Sequence, residues 1–486
     1  MIQSPDKRLR GLALVRDDTV PVYRQVYEHI RTAIRSGQLR PGDRLPSTRS
    51  LAERFGTARG TMDAAYAILA GEGYVVSRGP AGTVVSADLD GRAIAGATSG
   101  QRLSGAAPPP AFAARPFQMG LPALDAFPRK VWSRLVARHA RSFTPADMAY
   151  PDPAGYAPLR EAIAGYLATS RGVRCTVGQI LITNGYQDAL NLAICVLLQR
   201  GDKVWLEDPN FPPAAEALQE VGATLVPIRV DAEGLRVSDG LAHARRARLA
   251  VVTPSHQSPL GVALSLPRRL ALLSWASTAG AWIIEDDYDS EFRYVVRPLP
   301  ALKSLDQHQR VLYAGTFSKV LYPSLRLGYL VVPESLAVAF ARSNRLRHLG
   351  HAPLEQHVVA EFMAAGYFAR HLKRMRALYA ERRLALANGL RAAFGDHIAV
   401  DLQPGGMHLI ARFPSGTSDV KLAQLAQAGG LSVEALSRRG TARACGQGLL
   451  LGFTNIAETD ALAVCRRLHR LIGKSLYNET RKRPAP

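Results

Sequence analysis

Lys319 closes the run Ala314-Gly315-Thr316-Phe317-Ser318-Lys319, and Arg326 follows it by seven residues. A lysine amine just beyond an apolar strand can condense with an aldehyde, although most lysines are simply solvated ammonium groups and only the surrounding pattern argues otherwise. Thr316 and Ser318 before it and the guanidinium of Arg326 after it are donors of the kind that hold a phosphate. The chemistry available to this run is covalent capture of a phosphorylated aldehyde.

Three further runs supply what such a molecule would need. Trp282-Ile283-Ile284-Glu285-Asp286-Asp287-Tyr288 reads as an apolar strand that ends in carboxylates and a tyrosine, at the end where open α/β sheets place ligands. A buried Asp286 there can keep a pyridine nitrogen protonated, making the ring an electron sink, and Tyr288 can hydrogen-bond a ring hydroxyl. The same acids could instead form a helix cap or a solvated turn. Ile182-Thr183-Asn184-Gly185-Tyr186-Gln187-Asp188-Ala189-Leu190 reads as strand, short loop and helix start, so the backbone N–H groups of Gly185, Tyr186 and Gln187 can meet a phosphate. Phe211, just after the strand Val204–Leu206, can stack on a pyridine face or pack into a core.

These runs need a sheet to bring them together. From Phe117 onward, strand-like segments (Lys203–Leu206, Arg248–Val252, Ala281–Glu285, Val311–Tyr313) alternate with helical patterns, which predicts βαβ units and an α/β domain over residues 117–480. Residues 88–116 are dominated by Ala, Gly, Pro and Ser and read as a flexible linker. Residues 19–87 are helix-rich. Val22, Val26, Ile30, Ala33 and Ile34 form a helical stripe that ends before Gly37. Ser47 or Thr48 can cap a second helix that Gly56 closes, and a third runs from about Arg59 to Gly71, burying Met62, Tyr66 and Leu69. Two β-rich segments joined by a Gly/Pro tip, between Tyr74 and Val85, follow as a wing. A tight turn between helices, with small or basic residues opening the last one, suits entry into a DNA major groove.

At 486 residues the chain exceeds one compact core. Lys plus Arg outnumber Asp plus Glu by 61 to 40, a formal charge of +21, which attracts polyanions but is equally the mark of an arginine-rich, solvated surface. No apolar run is long enough to span a bilayer and no secretory segment opens the chain, so a cytoplasmic protein without membrane contact is expected. Cys175, Cys195, Cys445 and Cys465 are far apart and form no CxxC pair; they are expected to be buried thiols, and no metal site is expected.

The stretch Leu39-Arg40-Pro41-Gly42-Asp43-Arg44-Leu45-Pro46-Ser47-Thr48-Arg49, with Leu51-Ala52 and Arg59, resembles the winged helix-turn-helix of the GntR superfamily. That resemblance implies that Arg49, Arg59 and Thr61 reach phosphates or base edges and that Arg78 and Gly79 sit near the minor groove. Ala58 stands where that family usually has a capping Ser, at a cost of about 1 kcal/mol. The four chemical runs in their order resemble fold-type I aminotransferases, which have a mixed, mostly parallel central sheet and a smaller C-terminal α+β subdomain. Together with the winged helix, and with Thr253-Pro254-Ser255-His256-Gln257 and Glu285–Tyr294, they resemble the MocR subfamily of GntR regulators.

By that resemblance Lys319 is the catalytic residue and forms the internal aldimine of pyridoxal 5′-phosphate. Asp286 pairs with the ring nitrogen, Tyr288 bonds the ring oxygen, and Arg326, Thr316, Ser318 and Gly185-Tyr186-Gln187 hold the phosphate. Tyr150, in Tyr150-Pro151-Asp152-Pro153-Ala154-Gly155, crosses to a partner subunit's phosphate, which implies a homodimer. The partners implied are double-stranded operator DNA, the cofactor, and an amine or amino acid effector.

Two departures matter. Gly448-Leu449-Leu450-Leu451-Gly452-Phe453-Thr454-Asn455 lacks the arginine that clamps a substrate carboxylate in aminotransferases, leaving Arg443 as a replacement, and Ser258-Pro259-Leu260-Gly261 stands where Asn-Pro-x-Gly is usual, leaving His256 or Gln257 to substitute. The expected function is a regulator whose aminotransferase-like domain senses ligand, with at most weak or half-reaction transaminase activity. The rivals are a working aminotransferase with an attached DNA-binding domain and a DNA-binding protein with an empty pocket.

Overall fold

The computed structural model describes residues 20–87, 114–294, 300–413, 417–440 and 446–480, the side chains of 477–480 excepted. The chain divides into two compact units, Met1–Phe112 and Ala113–Pro486. Arg443, Cys445 and residues 88–113 of the expected linker lie outside the described residues.

In the first unit, α1 (Val22–Arg35), α2 (Thr48–Phe55) and α3 (Arg59–Gly71) are followed by β1 (Val75–Ser77) and β2 (Thr83–Val85), paired antiparallel around a tip at Gly79–Ala81. Ser47, rather than Thr48, caps α2 by accepting from the Ser50 amide at 3.1 Å, and Gly56 ends it in the left-handed conformation. Ala58 precedes α3 in extended backbone with no side-chain cap. Val26, Ile30, Leu51, Met62 and Leu69 are fully buried in one cluster, the side-chain spacing that three short helices need to share a core.

The second unit is built on an eight-stranded sheet ordered β3-β10-β9-β8-β7-β4-β5-β6. Its strands are β3 (Ile180–Thr183), β4 (Lys203–Asp208), β5 (Thr224–Asp231), β6 (Gly234–Leu235), β7 (Leu249–Val252), β8 (Trp282–Asp287), β9 (Val311–Thr316) and β10 (Gly328–Val331). β5-β4-β7-β8-β9 pair in parallel, whereas β10 runs antiparallel to both β9 and β3, so the sheet is mixed and mostly parallel. The strands are near-continuous apolar runs because helices cover both faces. A smaller antiparallel sheet, β11 (Ala399–Asp401), β12 (His408–Arg412), β14 (Leu449–Gly452) and β13 (Glu434–Ala435), packs with the helices Asp419–Ala428 and Ala461–Thr480 as the C-terminal α+β part.

No described helix is long and apolar enough to cross a membrane, and no cluster of three or more His, Cys, Asp or Glu among the described residues could hold a metal ion. The expectation of buried thiols needs correcting: Cys465 is buried and Cys175 half-buried, but Cys195 is exposed on the helix Tyr186–Leu197. It lies off the buried stripe of that helix, which runs through Ala189, Leu190, Ala193 and Leu197, and the Arg347 guanidinium is 3.0 Å from its sulfur.

Candidate functional site

Because β3, β4, β7, β8 and β9 run in one direction, the residues that follow each of them emerge at one edge of the sheet. Register then does the fine placement. Gly328 of β10 stands opposite Thr183 on one side and Thr316 on the other. This brings together the loop after β3, the turn after β9 and the residues just ahead of β10. A Cβ at Gly185 would lie 3.9 Å from both Ser318 Oγ and Arg326 Nη1, and one at Gly328 would come within 2.9 Å of the Gly185 Cα. Gly185 has φ +84° and opens the helix Tyr186–Leu197 without a side-chain cap. The N-terminus of that helix therefore lies beside the Ser318 hydroxyl and the Arg326 guanidinium, a grouping of donors suited to an anion. Arg326 itself has φ 50°, a left-handed backbone that side chains seldom adopt and that functional sites often retain.

The acids at the end of β8 separate by alternation along the strand. Glu285 accepts from the amides of Leu302 and Lys303, and Asp287 forms a fully buried pair with Arg171 at 2.7 Å and accepts from Tyr313. Asp286 points to the other face and into the pocket, the period-two geometry of a strand. Its Oδ1 is buried and has no hydrogen-bond partner among the described residues. Burial pushes its carboxyl well above the usual range, opposed by the Tyr186 hydroxyl and reinforced by Asp287, Glu207 and Asp289. A cationic donor against Oδ1 would reverse that shift and restore the carboxylate.

A cavity of about 320 Å³ joins these parts. Among its lining residues are Lys319, Asp286, Tyr288, Thr316, Ser318 and Arg326, and also Tyr186, Gln187 and Phe211. The Lys319 amine donates to the Gly120 carbonyl at 3.1 Å, and a Cβ at Gly120 would stand 2.6 Å from it. Burial pulls the lysine below its ordinary range, with Asp289, Asp286 and Glu434 pulling back. An amine so placed is a better nucleophile than a surface lysine. Phe211 is on the cavity wall, tilted against Tyr186, rather than in the core. Tyr150 is not part of the wall; it is 87% exposed in the single chain.

Several wall residues escaped sequence reasoning. Arg439, ion-paired to Glu434, reaches the cavity from the turn Leu436–Arg439 just after β13, and His408 reaches it from β12, its burial driving it down to about 4 so that it stays neutral. Leu450 of β14 packs with Ile410 and Leu436 against Met119 and Leu260, so an apolar cluster fills that strand. Besides Arg326, the arginine at the cavity is thus Arg439, while Arg443 is outside the described residues.

In the N-terminal unit, Arg49 is exposed at the start of α2, 3.1 Å from Glu53, and Arg59 opens α3, 3.7 Å from Asp63. Thr61 is half-buried in the first turn of α3, and Arg78 and Gly79 are exposed at the wing tip. Exposed pairs one helical turn apart hold such arginines weakly, leaving them free to exchange partners.

Pyridoxal phosphate demands an amine, an anion cup, an acid for the ring nitrogen and a donor for the ring oxygen. Lys319, the Gly185–Ser318–Arg326 cradle, the orphaned Asp286 oxygen and Tyr288 provide that set, so the residues fit the group.

Comparison with known proteins agrees with this geometry. Residues 128–445 match the family "Aminotransferase class I and II", and residues 22–85 match "Bacterial regulatory proteins, gntR family". The chain is 40% identical to the probable rhizopine catabolism regulatory protein MocR of Rhizobium meliloti, over 92% of each protein. It is 33% identical to the pyridoxine biosynthesis transcriptional regulator PdxR of Corynebacterium glutamicum, covering 91% of this chain and 94% of that one. Among solved structures, the kynurenine aminotransferase of Pyrococcus horikoshii superposes with a TM-score of 0.68 at 27% identity, over 74% of this chain and 91% of the other. The α-aminoadipate aminotransferase LysN of Thermus thermophilus, complexed with N-(5′-phosphopyridoxyl)-L-leucine, gives 0.67 at 29%, over 74% and 92%.

Proposed function

The chain belongs to the aminotransferase class I and II family and carries the DNA-binding domain of the gntR regulators, and from that premise we propose that this transcription regulator senses pyridoxal phosphate, or an amine or amino acid presented to it, through Lys319. One observation carries the reading: a single chain joins a winged helix-turn-helix to a cavity in which a lysine amine, an unsatisfied Asp286 oxygen and an anion cradle converge. When bound, the group supplies an aldehyde and an electron-withdrawing ring. The chain's own residues do the rest. Arg326, Ser318, Thr316 and the amides at Gly185, Tyr186 and Gln187 hold the phosphate; Asp286 holds the ring-nitrogen proton; Phe211 covers one face; and Tyr150 completes the partner's cup in a homodimer. Arg49, Arg59, Thr61, Arg78 and Gly79 contact operator DNA, in the cytoplasm.

An occupied site biases the arrangement of the paired winged helices, and operator affinity changes as a result. The chain is at most a weak transaminase because the apolar Leu450 cluster fills the strand and Arg439 is already held by Glu434. The decisive experiment reduces the cofactor-loaded protein with borohydride and maps the modified peptide by mass spectrometry. A pyridoxyl mass on Lys319, absent from Lys319→Ala, is expected; an unmodified Lys319 overturns the sensor. Steady-state turnover of amino acid and keto acid pairs would instead favour the working enzyme.

A further inference from the structure

The hydroxyl of Tyr288 is backed by a histidine. His256 Nδ1 lies 3.0 Å from Tyr288 Oη, aligned for a hydrogen bond, and 3.1 Å from Asp289 Oδ2, which stands off the ring-proton direction. Asp289 is 1% exposed and neither of its oxygens has an aligned donor among the described residues. The other ring nitrogen, Nε2, is buried and has no hydrogen-bond partner among the described residues. It is closed in by two glycines of positive φ: a Cβ at Gly261 would come within 3.0 Å of Nε2, and one at Gly406 would collide with the ring.

Two physical effects then choose the tautomer. A proton on Nε2 would be a buried donor with no acceptor, which costs more than a buried lone pair. A proton on Nδ1 lies next to the Asp289 carboxylate and is stabilised by it. With the proton on Nδ1, His256 can only donate to Tyr288 Oη, so Tyr288 cannot donate back. The Ser258 hydroxyl is a further hydrogen-bond partner of the same oxygen, and its effect there is that of a donor, opposing the rise that burial imposes on the phenol. The tyrosine's own proton is left to point into the cavity. Hence we propose that His256, with its proton fixed on Nδ1 by Asp289, is a positioning residue that commits the Tyr288 proton to the ring oxygen of the bound cofactor.

This rests on the cofactor reading above and names a device within it. The charged groups that act on Lys319 are Asp289, Asp286 and Glu434; those on Tyr288 are Asp289, Asp286 and Glu207; His408, 5.9 Å from His256 between ring centres, is neutral. The test is the pH midpoint at which the chromophore bound to Lys319 loses its proton. Losing that proton leaves full negative charge on the ring oxygen, which a donated Tyr288 proton stabilises. Without that donation the midpoint must rise.

Asp289→Ala frees His256 to take the other tautomer and accept from Tyr288, so the midpoint is expected to rise by about one unit, the scale of one hydrogen bond to a charged group. Asp289→Asn, which keeps the shape if the alanine variant fails to fold, should show a smaller rise. A direct charge effect has the opposite sign, because removing a nearby anion destabilises the protonated form, and a fall in either variant overturns the proposal. An unchanged midpoint in both also overturns it. In Asp289→Ala combined with His256→Phe the rise should vanish, because the imidazole that draws off the tyrosine proton is gone; persistence of the rise counts against the relay. Absence of any chromophore in the unmodified protein would instead defeat the cofactor reading itself.

Discussion

Glu207 shows how a single buried carboxyl can hold the wall of the pocket in place. It sits near the end of β4, where Thr253 donates to it through both amide and hydroxyl, and the Gln257 amide donates at 3.2 Å while also bonding the carbonyls of Pro209 and Ser258. Burial raises it from 4.5 to about 7 despite those donors. A folded value above the unfolded one means stability that is fully present below pH 4.5 and lost as pH rises to about 7. Glu207→Gln removes that slope. Urea denaturation should show the unmodified protein losing up to about 3 kcal/mol relative to the variant across this window, and a parallel pair of curves would refute the assignment. At this scale the sequence was most legible where chemistry concentrates in a strand-end run: Asp286, Tyr288, Ser318 and Lys319 all line one cavity. Arg439, Glu434 and His408 were not legible, since they come from a second sheet and the turn after its strand β13, more than a hundred residues beyond β8, and nothing local separates a wall arginine from a solvated one.

Among the elements, α3 has the least finished end. Ala58 has the extended backbone of a capping position, φ −68° and ψ 140°, and its carbonyl accepts from the Thr61 amide at 3.0 Å, but it has no side-chain oxygen to offer the first amides of the helix. Ala58→Ser should therefore stabilise α3 by about 1 kcal/mol, which slows amide exchange in its first turns about fivefold in the full-length protein. Unchanged exchange would mean that those amides already have another acceptor. The caps also explain why the N-terminal helices were readable: Ser47 and Gly56 act over three or four residues, and the reading placed α3 at its observed bounds. Pairing across the large sheet is different. Nothing within Gly328–Val331 says that this strand runs antiparallel between β9 and β3, yet that insertion brings Arg326 to Gly185. Long-range register is fixed by burial on both faces of the whole sheet, which no short window contains.

For the whole molecule the question is whether the two units share free energy. With a formal charge of +21, part of any DNA affinity is counterion release, so a comparison has meaning only at one salt concentration. At fixed salt, an equilibrium coupling must be reciprocal. If an amine added to the pyridoxal-loaded protein changes operator affinity by some factor, the operator must change the affinity for that amine by the same factor. Couplings between distinct sites usually amount to about five- to a hundredfold. Fluorescence anisotropy on DNA from upstream of the protein's own gene, with and without the amine, gives one factor. Absorbance titration of the amine, with and without that DNA, gives the other. Equal factors different from one are expected, because both ligands then bias a single two-state equilibrium. Equal factors of one would mean that the winged helix and the Lys319 pocket work independently, and the domain fusion would need a different physical explanation.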